Sequence, residues 1–301
     1  MIWVTWRQHR TEAIVAGILL ILFSLFLLLT GLDLRNTSLQ SGPLGVKAYI
    51  GSFPLIAIYS LPFLLGVFVG APMVSQELER GTNRLAWTQG ITRDHWFKSK
   101  TLIIAGATFV IFLLLAGVLN WWNQPVNQSI GPWSTFDANG FVMIAHALFA
   151  LALGIALGVI LGKPVSAMAL FVLLFPVIRL FFIWLRQYYL PPKSLIWNYT
   201  GENPIENFSK IWILDQNFVD KFGQEIPFEQ VFNVCHRITE STYIITSDPY
   251  SCYRENGFLT VVQYQPIERF WLFQSIESII FLALALGLIG LTSWWLKKKI
   301  G

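Results

Sequence analysis

The chain has 301 residues, 54% of them hydrophobic and 13% charged, with 21 Lys and Arg against 17 Asp and Glu, and its mean hydropathy is +0.56. So apolar and charge-poor a composition excludes a soluble globule of this length and places the chain in a bilayer. The apolar runs are continuous and not alternating, and they predict membrane helices instead of a barrel, because backbone groups in lipid must be satisfied within each segment.

Residues 1–12 set Trp3 and Trp6 beside Arg7, His9 and Arg10. Aromatic rings and cations together suit the headgroup region, so this stretch predicts a short interfacial helix; a disordered basic tail is the alternative. The first apolar run, 13–32, follows these charges as a secretory signal would. It is longer than the roughly 7 to 15 residues of a signal core, and no small-x-small cleavage site follows in Asp33-Leu34-Arg35, so it is expected to stay as a signal anchor.

The second span, 53–74, carries Pro54, Pro62 and Pro72, which predict kinks or local unwinding. Beyond it lies a charged segment running from Ser75 through Glu77, Glu79, Arg80, Gly81, Thr82 and Arg84 to Leu85 and Trp87. Gly81 is suited to end the incoming helix, and Thr82 to cap a short new one that Gly90 stops. Thr92 is then placed to cap the next helix, with Asp94 in its first turn complementing the dipole. The expected product is a short helix lying across the membrane, anchored by Leu85 and Trp87, with charges on offer to a partner. A purely structural loop would share many of these residues.

The third span is expected at 101–122 and the fourth at 141–162. In the fourth, Gly154, Gly158 and Gly162 repeat at every fourth position, a small-residue stripe that lets another helix approach closely, within one subunit or across a dimer. Its end, Gly158-Val-Ile-Leu-Gly162-Lys163-Pro164, has one residue too few for a phosphate-binding loop and lacks the Ser or Thr that would hold Mg²⁺. Lys163 and Pro164 predict a tight hairpin into the fifth span, 165–185.

Residues 186–269 form the one sizeable polar segment, with seven Lys and Arg against ten Asp and Glu. Its short apolar runs, broken by Pro, Asn and Gly, predict a small mixed α/β domain. Both cysteines, Cys235 and Cys252, fall inside it. An even count on an oxidising side predicts a disulfide; two buried free thiols are the alternative. A metal site is not expected, since no ligand spacing repeats. The sixth span is expected at 270–296, with a basic tail at 297–301.

Basic residues cluster near residues 7–10, 80–100, 163 and 297–299, whereas residues 123–140 carry none. The positive-inside rule therefore puts both termini in the cytoplasm. The same distribution assigns the basic excess to the inner leaflet and not to nucleic acid. Two charges remain inside spans: Arg179 in the fifth and Glu277 in the sixth, at similar depth. A charge there costs several kcal/mol, roughly, unless it pairs, snorkels or meets water. The two are expected to pair or to line an outward-facing polar vestibule, against independent snorkelling. His146 is expected to be interfacial or locally bonded, with a proton relay the less favoured role. Nothing points to an intramembrane enzyme: there is no His-Glu-x-x-His and no Gly-x-Ser-x-Gly.

The six-span layout, Thr5-Trp6-Arg7-Gln8-His9-Arg10, and Glu77-Leu78-Glu79-Arg80-Gly81-Thr82-Asn83-Arg84-Leu85-Ala86-Trp87-Thr88-Gln89 followed by Thr92-Arg93 resemble the ABC-2 type permease subunits of bacterial ABC exporters. Glu-x-Glu-x-Gly-Thr is the specific part. The resemblance implies an all-α polytopic protein of the bacterial cell membrane with six helices and both termini cytoplasmic; the α/β domain read at 186–269, external and between helices five and six, departs from the compact members of that family. The resemblance further implies pairing with a second copy or a close relative, and with two separate cytoplasmic ABC ATPase subunits that carry ATP and Mg²⁺; no cofactor and no catalytic residue is expected in this chain. Residues 1–12, with Trp3, Trp6, Arg7 and Arg10, would be the elbow, and residues 77–89 would include the coupling helix. The implied cargo is amphipathic or lipophilic: a drug, an antimicrobial peptide or a lipid. The alternative is ATPase-coupled motion passed to the external segment without transport.

Overall fold

A computed structural model describes residues 17–18, 21–36, 46, 53–81, 92–200, 210–241 and 250–299. The elbow at 1–12 and the short transverse helix expected after Gly81, with Thr82, Arg84, Leu85 and Trp87, lie outside these residues. The chain divides into two units. One comprises Met1–Ser129, Thr135–Arg186 and Trp271–Gly301, and the other comprises Ile130–Ser134 with Gln187–Phe270.

The first unit is helical. Helix α1 covers 21–36, α2 Phe53–Leu65, α3 Ala71–Arg80, α4 Arg93–Trp122, α5 Gln124–Ser129, α6 Val142–Leu161 and α7 Pro164–Leu185. Among the described residues five helical segments are long and apolar enough to cross a membrane: Leu55–Arg80, Arg93–Trp122, Pro132–Leu161, Pro164–Tyr188 and Ile267–Lys298. They correspond to the second through sixth expected spans; only part of the first is described.

Helices α2 and α3 are one rod joined by a π-helical turn, Gly66–Gly70, in which the Ala71 N–H bonds to the Gly66 carbonyl. Pro72 follows at the start of α3. A proline has no N–H to give the carbonyl four residues back, so widening the ladder by one residue lets the rod continue where a strict α-helix would break. The unwinding expected from three prolines is therefore confined to one turn.

That turn meets α6, the most enclosed of the helices: only Leu148, Ile160 and Leu161 of α6 escape burial. An all-round apolar sequence is what such a position requires. Contact is at backbone distance. A Cβ on Gly154 would lie 2.6 Å from the Gly66 carbonyl oxygen, and one on Gly158 would lie 2.4 Å from the Ala71 carbonyl oxygen. Both glycines thus pack within one chain. Gly162 does not share this role; a Cβ there would meet nothing within 4 Å. Its φ of +63° and its N–H bond to the Gly158 carbonyl end the helix, which is a left-handed cap that glycine adopts at least cost.

The second unit holds a four-stranded sheet in the order β1-β4-β2-β3, with β1 Lys193–Trp197, β2 Trp212–Val219, β3 Glu225–Ile226 and β4 Leu259–Gln265. All pairings are antiparallel. Among its described residues are also helices α8 (Phe228–Ser241) and α9 (Ser251–Glu255), and a Cys235–Cys252 disulfide joins them. Helix α10, Phe270–Lys299, then runs as the last span.

Gly158→Val is expected to destabilise the protein by about 1–3 kcal/mol, because the new Cβ meets backbone and not a movable side chain. Thermal unfolding in detergent measures it, with Gly106→Ala, whose Cβ meets nothing within 4 Å, leaving the midpoint unchanged. Reducing the disulfide, which closes a loop with a sequence separation of 17, should weaken the second unit by about 3 kcal/mol through regained chain entropy, read as faster proteolysis between residues 235 and 252.

Candidate functional site

Two arrangements of charged side chains stand out in the helical unit. The first lies where α3, α4 and α10 end together. Helix α3 keeps its α-helical course through Glu77 and Glu79 and stops at Gly81, whose φ is +69°. Lys100, buried on α4, reaches across to donate to the Met73 carbonyl at 2.9 Å and to the Glu77 carboxylate at 2.6 Å. Its stem and head are enclosed, so this contact ties α3 to α4 with a charge-assisted bond. Thr92 caps α4, its side chain accepting from the His95 N–H at 3.4 Å. One turn in, Asp94 accepts from Ser293 at 2.7 Å and pairs with Lys98 at 2.8 Å and Lys297 at 3.3 Å. Glu79 and Arg80 stay exposed beside these contacts.

The second arrangement is a buried five-residue cluster. Glu277, on α10, has no exposed surface. Arg186 grips it with two bonds, Nε to Oε2 at 2.7 Å and Nη2 to Oε1 at 2.9 Å. The same Nη2 reaches Asp137 at 2.6 Å. Arg179 bridges the two carboxylates from α7, 3.2 Å from Asp137 and 3.4 Å from Glu277. Its Nη1 also lies 2.7 Å from His146 Nε2, which is 3.1 Å from Glu277 Oε1. A neutral imidazole holds either a lone pair or a proton on that nitrogen, so His146 accepts from Arg179 or donates to Glu277, one at a time. With histidine neutral, two guanidiniums balance two carboxylates.

Why the chain folds this way is visible in the neighbours. One turn before Glu277, the buried Gln274 donates to the Phe136 carbonyl at 2.8 Å and accepts from the Val142 N–H at 3.2 Å. This clamp fixes the segment that presents Asp137. Asn123 donates to the Ala138 carbonyl at 2.9 Å, and Asn139 to the Thr135 hydroxyl at 2.7 Å. Arg186 also lies over the Phe136 ring, 3.9 Å from its centre, and His146 meets the edge of Phe281 at 4.6 Å.

Arg179 and Glu277 were singled out by their charge alone, and the structure places them together. Asp137, Arg186 and Gln274 were missed. Asp137 sits in what looks like a polar loop, and Arg186 at a span boundary, where an ionised residue raises no alarm. Only the rule that a buried carboxylate needs several partners could have prompted a search for them. His146 is locally bonded and enclosed. Ligand atoms of Asp137, His146 and Glu277 lie within 4.8 Å of one another, a spacing a metal ion could use. Guanidinium bonds already hold Asp137 Oδ1 and both oxygens of Glu277, and a dication would add charge to a set that already balances. The cluster is therefore described as an ion-pair network.

Residues 47–186 match the family model described as ABC-2 membrane transporter related, in agreement with an ABC-2 type permease. No curated protein and no solved structure matches. The matched stretch includes Glu77, Glu79, Gly81, Lys100, Asp137, His146, Gly154, Gly158, Arg179 and Arg186, and stops before Glu277 and before Gln187–Phe270, the main part of the second unit.

Glu277→Ala leaves two buried guanidiniums facing one carboxylate, and is expected to cost about 3–5 kcal/mol, the usual range for breaking a buried pair from one side. Thermal unfolding in detergent checks this. Lys221→Gln, in the second unit on an exposed turn, serves as the comparison and should shift the midpoint by less than about 0.5 kcal/mol equivalent.

Proposed function

We propose that this chain is the membrane-spanning subunit of an ATP-driven exporter of the bacterial cell membrane, working as two copies or with a close relative. Two separate cytoplasmic ABC ATPase subunits would bind and hydrolyse ATP with Mg²⁺. The observation that supports this most is the charged exit of α3: Glu77, Glu79 and Arg80 extend past the apolar part of the rod, Gly81 ends it, and the stretch containing them matches an ABC-2-related family.

In this reading the segment from Glu77 to Gln89 docks in the ATPase, and residues 1–12 form the elbow beside it. Energy would enter as a push on this segment. Glu77 is already held by Lys100, so a push on α3 is carried to α4, and through Asp94, Ser293 and Lys297 to α10. Glu79, Arg80 and the residues after Gly81 are the groups left to meet a partner. The π turn at Gly66–Gly70 is the natural place for the rod to give, since its ladder is already shifted there. Rearranged helices would then pass an amphipathic or lipophilic molecule outward, with the second unit on the external side and both chain ends in the cytoplasm.

A second reading is favoured by the second unit itself, a disulfide-closed α/β body inserted between α7 and α10. ATPase-driven motion could act on a partner through that body, with no cargo crossing.

Glu77→Ala and Gly81→Pro test the shared premise. Proline cannot adopt the φ of +69° found at Gly81. Each change is expected to lower ATP hydrolysis by the co-purified ATPase at least about tenfold relative to the intact complex, a loss of about 1.4 kcal/mol of coupling. Unchanged complex formation and hydrolysis in both variants would contradict the permease reading. Transport into inverted vesicles then separates export from motion alone.

A further inference from the structure

Between α4 and α10 the helical unit holds an apolar groove of ≈330 Å³, floored by α6 and within the size range of small-molecule sites. Ala105 of α4 and Leu282, Leu286 and Ile289 of α10 form its flanks, and Leu148 of α6, one of the few residues of that helix to escape burial, shows through the gap. Leu286 is 74% exposed, so the groove opens sideways to whatever surrounds the helices. Lys98 is the charged member of its wall.

Two features at the Lys98 end call for an acceptor. Thr101, one turn deeper on α4, lines the groove and is 7% exposed, yet its buried hydroxyl has no hydrogen-bond partner among the described residues. Hydroxyls elsewhere in these helices avoid the cost of an unmade bond by donating to the carbonyl four residues back, as Thr30, Ser75 and Thr292 do. Thr101 does not. The second feature is charge: Asp94 Oδ2 takes Lys98 at 2.8 Å, while its Oδ1 takes Ser293 at 2.7 Å and Lys297 at 3.3 Å. Two ammoniums against one carboxylate leave a positive excess at this end. The Lys98 side chain is 60% exposed, and the bond to Asp94 uses one of its three donors. Along α4 the groove thus passes from a cationic rim, through an unpartnered hydroxyl roughly 4.5 Å deeper, to an apolar body.

We infer that this groove holds an anionic glycerophospholipid, one acyl chain lying along Ala105, Leu286 and Ile289, an ester carbonyl accepting from Thr101, and the phosphate facing Lys98 and Lys297. Phosphate, ester and chain follow one another in a lipid as rim, hydroxyl and apolar wall do here. A basic recess between membrane helices is the kind of surface that anionic headgroups favour. A zwitterionic lipid fits the apolar body equally well but brings an ammonium to a rim already in cationic excess, so the site selects by headgroup charge. The inference goes beyond the exporter reading and rests on it only for the leaflet, which would be the cytoplasmic one.

The test places a diazirine-bearing leucine analogue at Leu286 of the full chain and, for comparison, at Leu173 of α7, which is 67% exposed and outside the groove. The chain is reconstituted in vesicles of equal parts dioleoylphosphatidylglycerol and dioleoylphosphatidylcholine, irradiated, and its adducts identified by mass. At Leu286 the phosphatidylglycerol adducts are expected to outnumber the phosphatidylcholine ones at least about fivefold, and at Leu173 to follow the mixture. Lys98→Gln should bring the Leu286 ratio within about twofold of the Leu173 ratio, whereas Lys163→Gln, at an exposed lysine outside the groove, should leave it unchanged. With phosphatidylglycerol alone, Thr101→Val should abolish a preference at Leu286 for the ester-linked lipid over its ether analogue, which has no carbonyl. Equal ratios at the two positions overturn the site, as does an enrichment that survives Lys98→Gln or falls equally with Lys163→Gln, or an ester preference that survives Thr101→Val. An adduct from Leu286 to a second copy of the chain, or to another part of the same chain, also overturns it by naming a different occupant. These vesicles contain no ATPase. Equal ratios in a chain that still couples ATP hydrolysis sink the lipid site alone, whereas enrichment at Leu286 with unaltered hydrolysis in Glu77→Ala and Gly81→Pro sinks the exporter reading alone.

Discussion

Glu277 carries a full charge with no exposed surface on a helix made for hydrocarbon, and much of the helical unit is arranged to make that tolerable. An isolated carboxylate in such a place would cost many kcal/mol or take up a proton. Here Arg186 binds it at two points and Arg179 at a third, and Asp137 restores the balance those two cations upset. The four charges and His146 come from α6, α7, the turn Arg186–Tyr188 just after α7, α10 and the segment before α6. Each helix therefore contributes a group that is expensive unless the others are present. Apolar packing in lipid sets no unique register between helices, because a lipid chain is as good a neighbour as a leucine. A buried network that is satisfied in one arrangement only can supply that register.

The same logic separates the two ends of the helical unit. At the cluster, charges face one another, with Glu277 fully buried and Asp137 and Arg179 mostly so. At the other end, Lys100 and Asp94 tie α3, α4 and α10 together, while Glu79 and Arg80 remain open. Between these ends runs the backbone contact of Gly154 and Gly158 with the π turn. That contact is stiff across the helices, since no side chain intervenes. It is soft along the rod, where the hydrogen-bond ladder has already slipped by one residue. Such a combination suits a lever: force applied near Glu77 would move α3 as a unit and meet its first compliant point at Gly66–Gly70.

Sequence made the spans and several caps legible because each depends on local chemistry. A run of apolar residues has few other fates, Gly81 ends its helix by a φ that other residues resist, and Thr92 caps α4 by its own hydroxyl. The small-residue stripe was legible as a contact at Gly154 and Gly158 but misleading at Gly162, where the same residue type terminates the helix. Periodicity cannot distinguish a glycine needed for space from one needed for φ. The charge cluster was half legible. Arg179 and Glu277 announce themselves by lying within apolar runs, whereas Asp137 and Arg186 look ordinary in sequence and acquire their roles only when α10 brings Glu277 and Gln274 against them. The four-stranded sheet was the least legible, since its order β1-β4-β2-β3 depends on pairings across most of the polar segment.

In the proposed function a separate motor grips the chain just beyond Gly81. Photocrosslinking tests it most directly: a photoreactive amino acid is placed in turn at Leu85, at Trp87 and, for comparison, at Phe222 in the second unit, and the complex is irradiated with its co-purified ATPase. Adducts to the ATPase from Leu85 and Trp87, and none from Phe222, are the result this account requires. An intact complex that gives no adduct from either position, or an adduct from Phe222 instead, would contradict it.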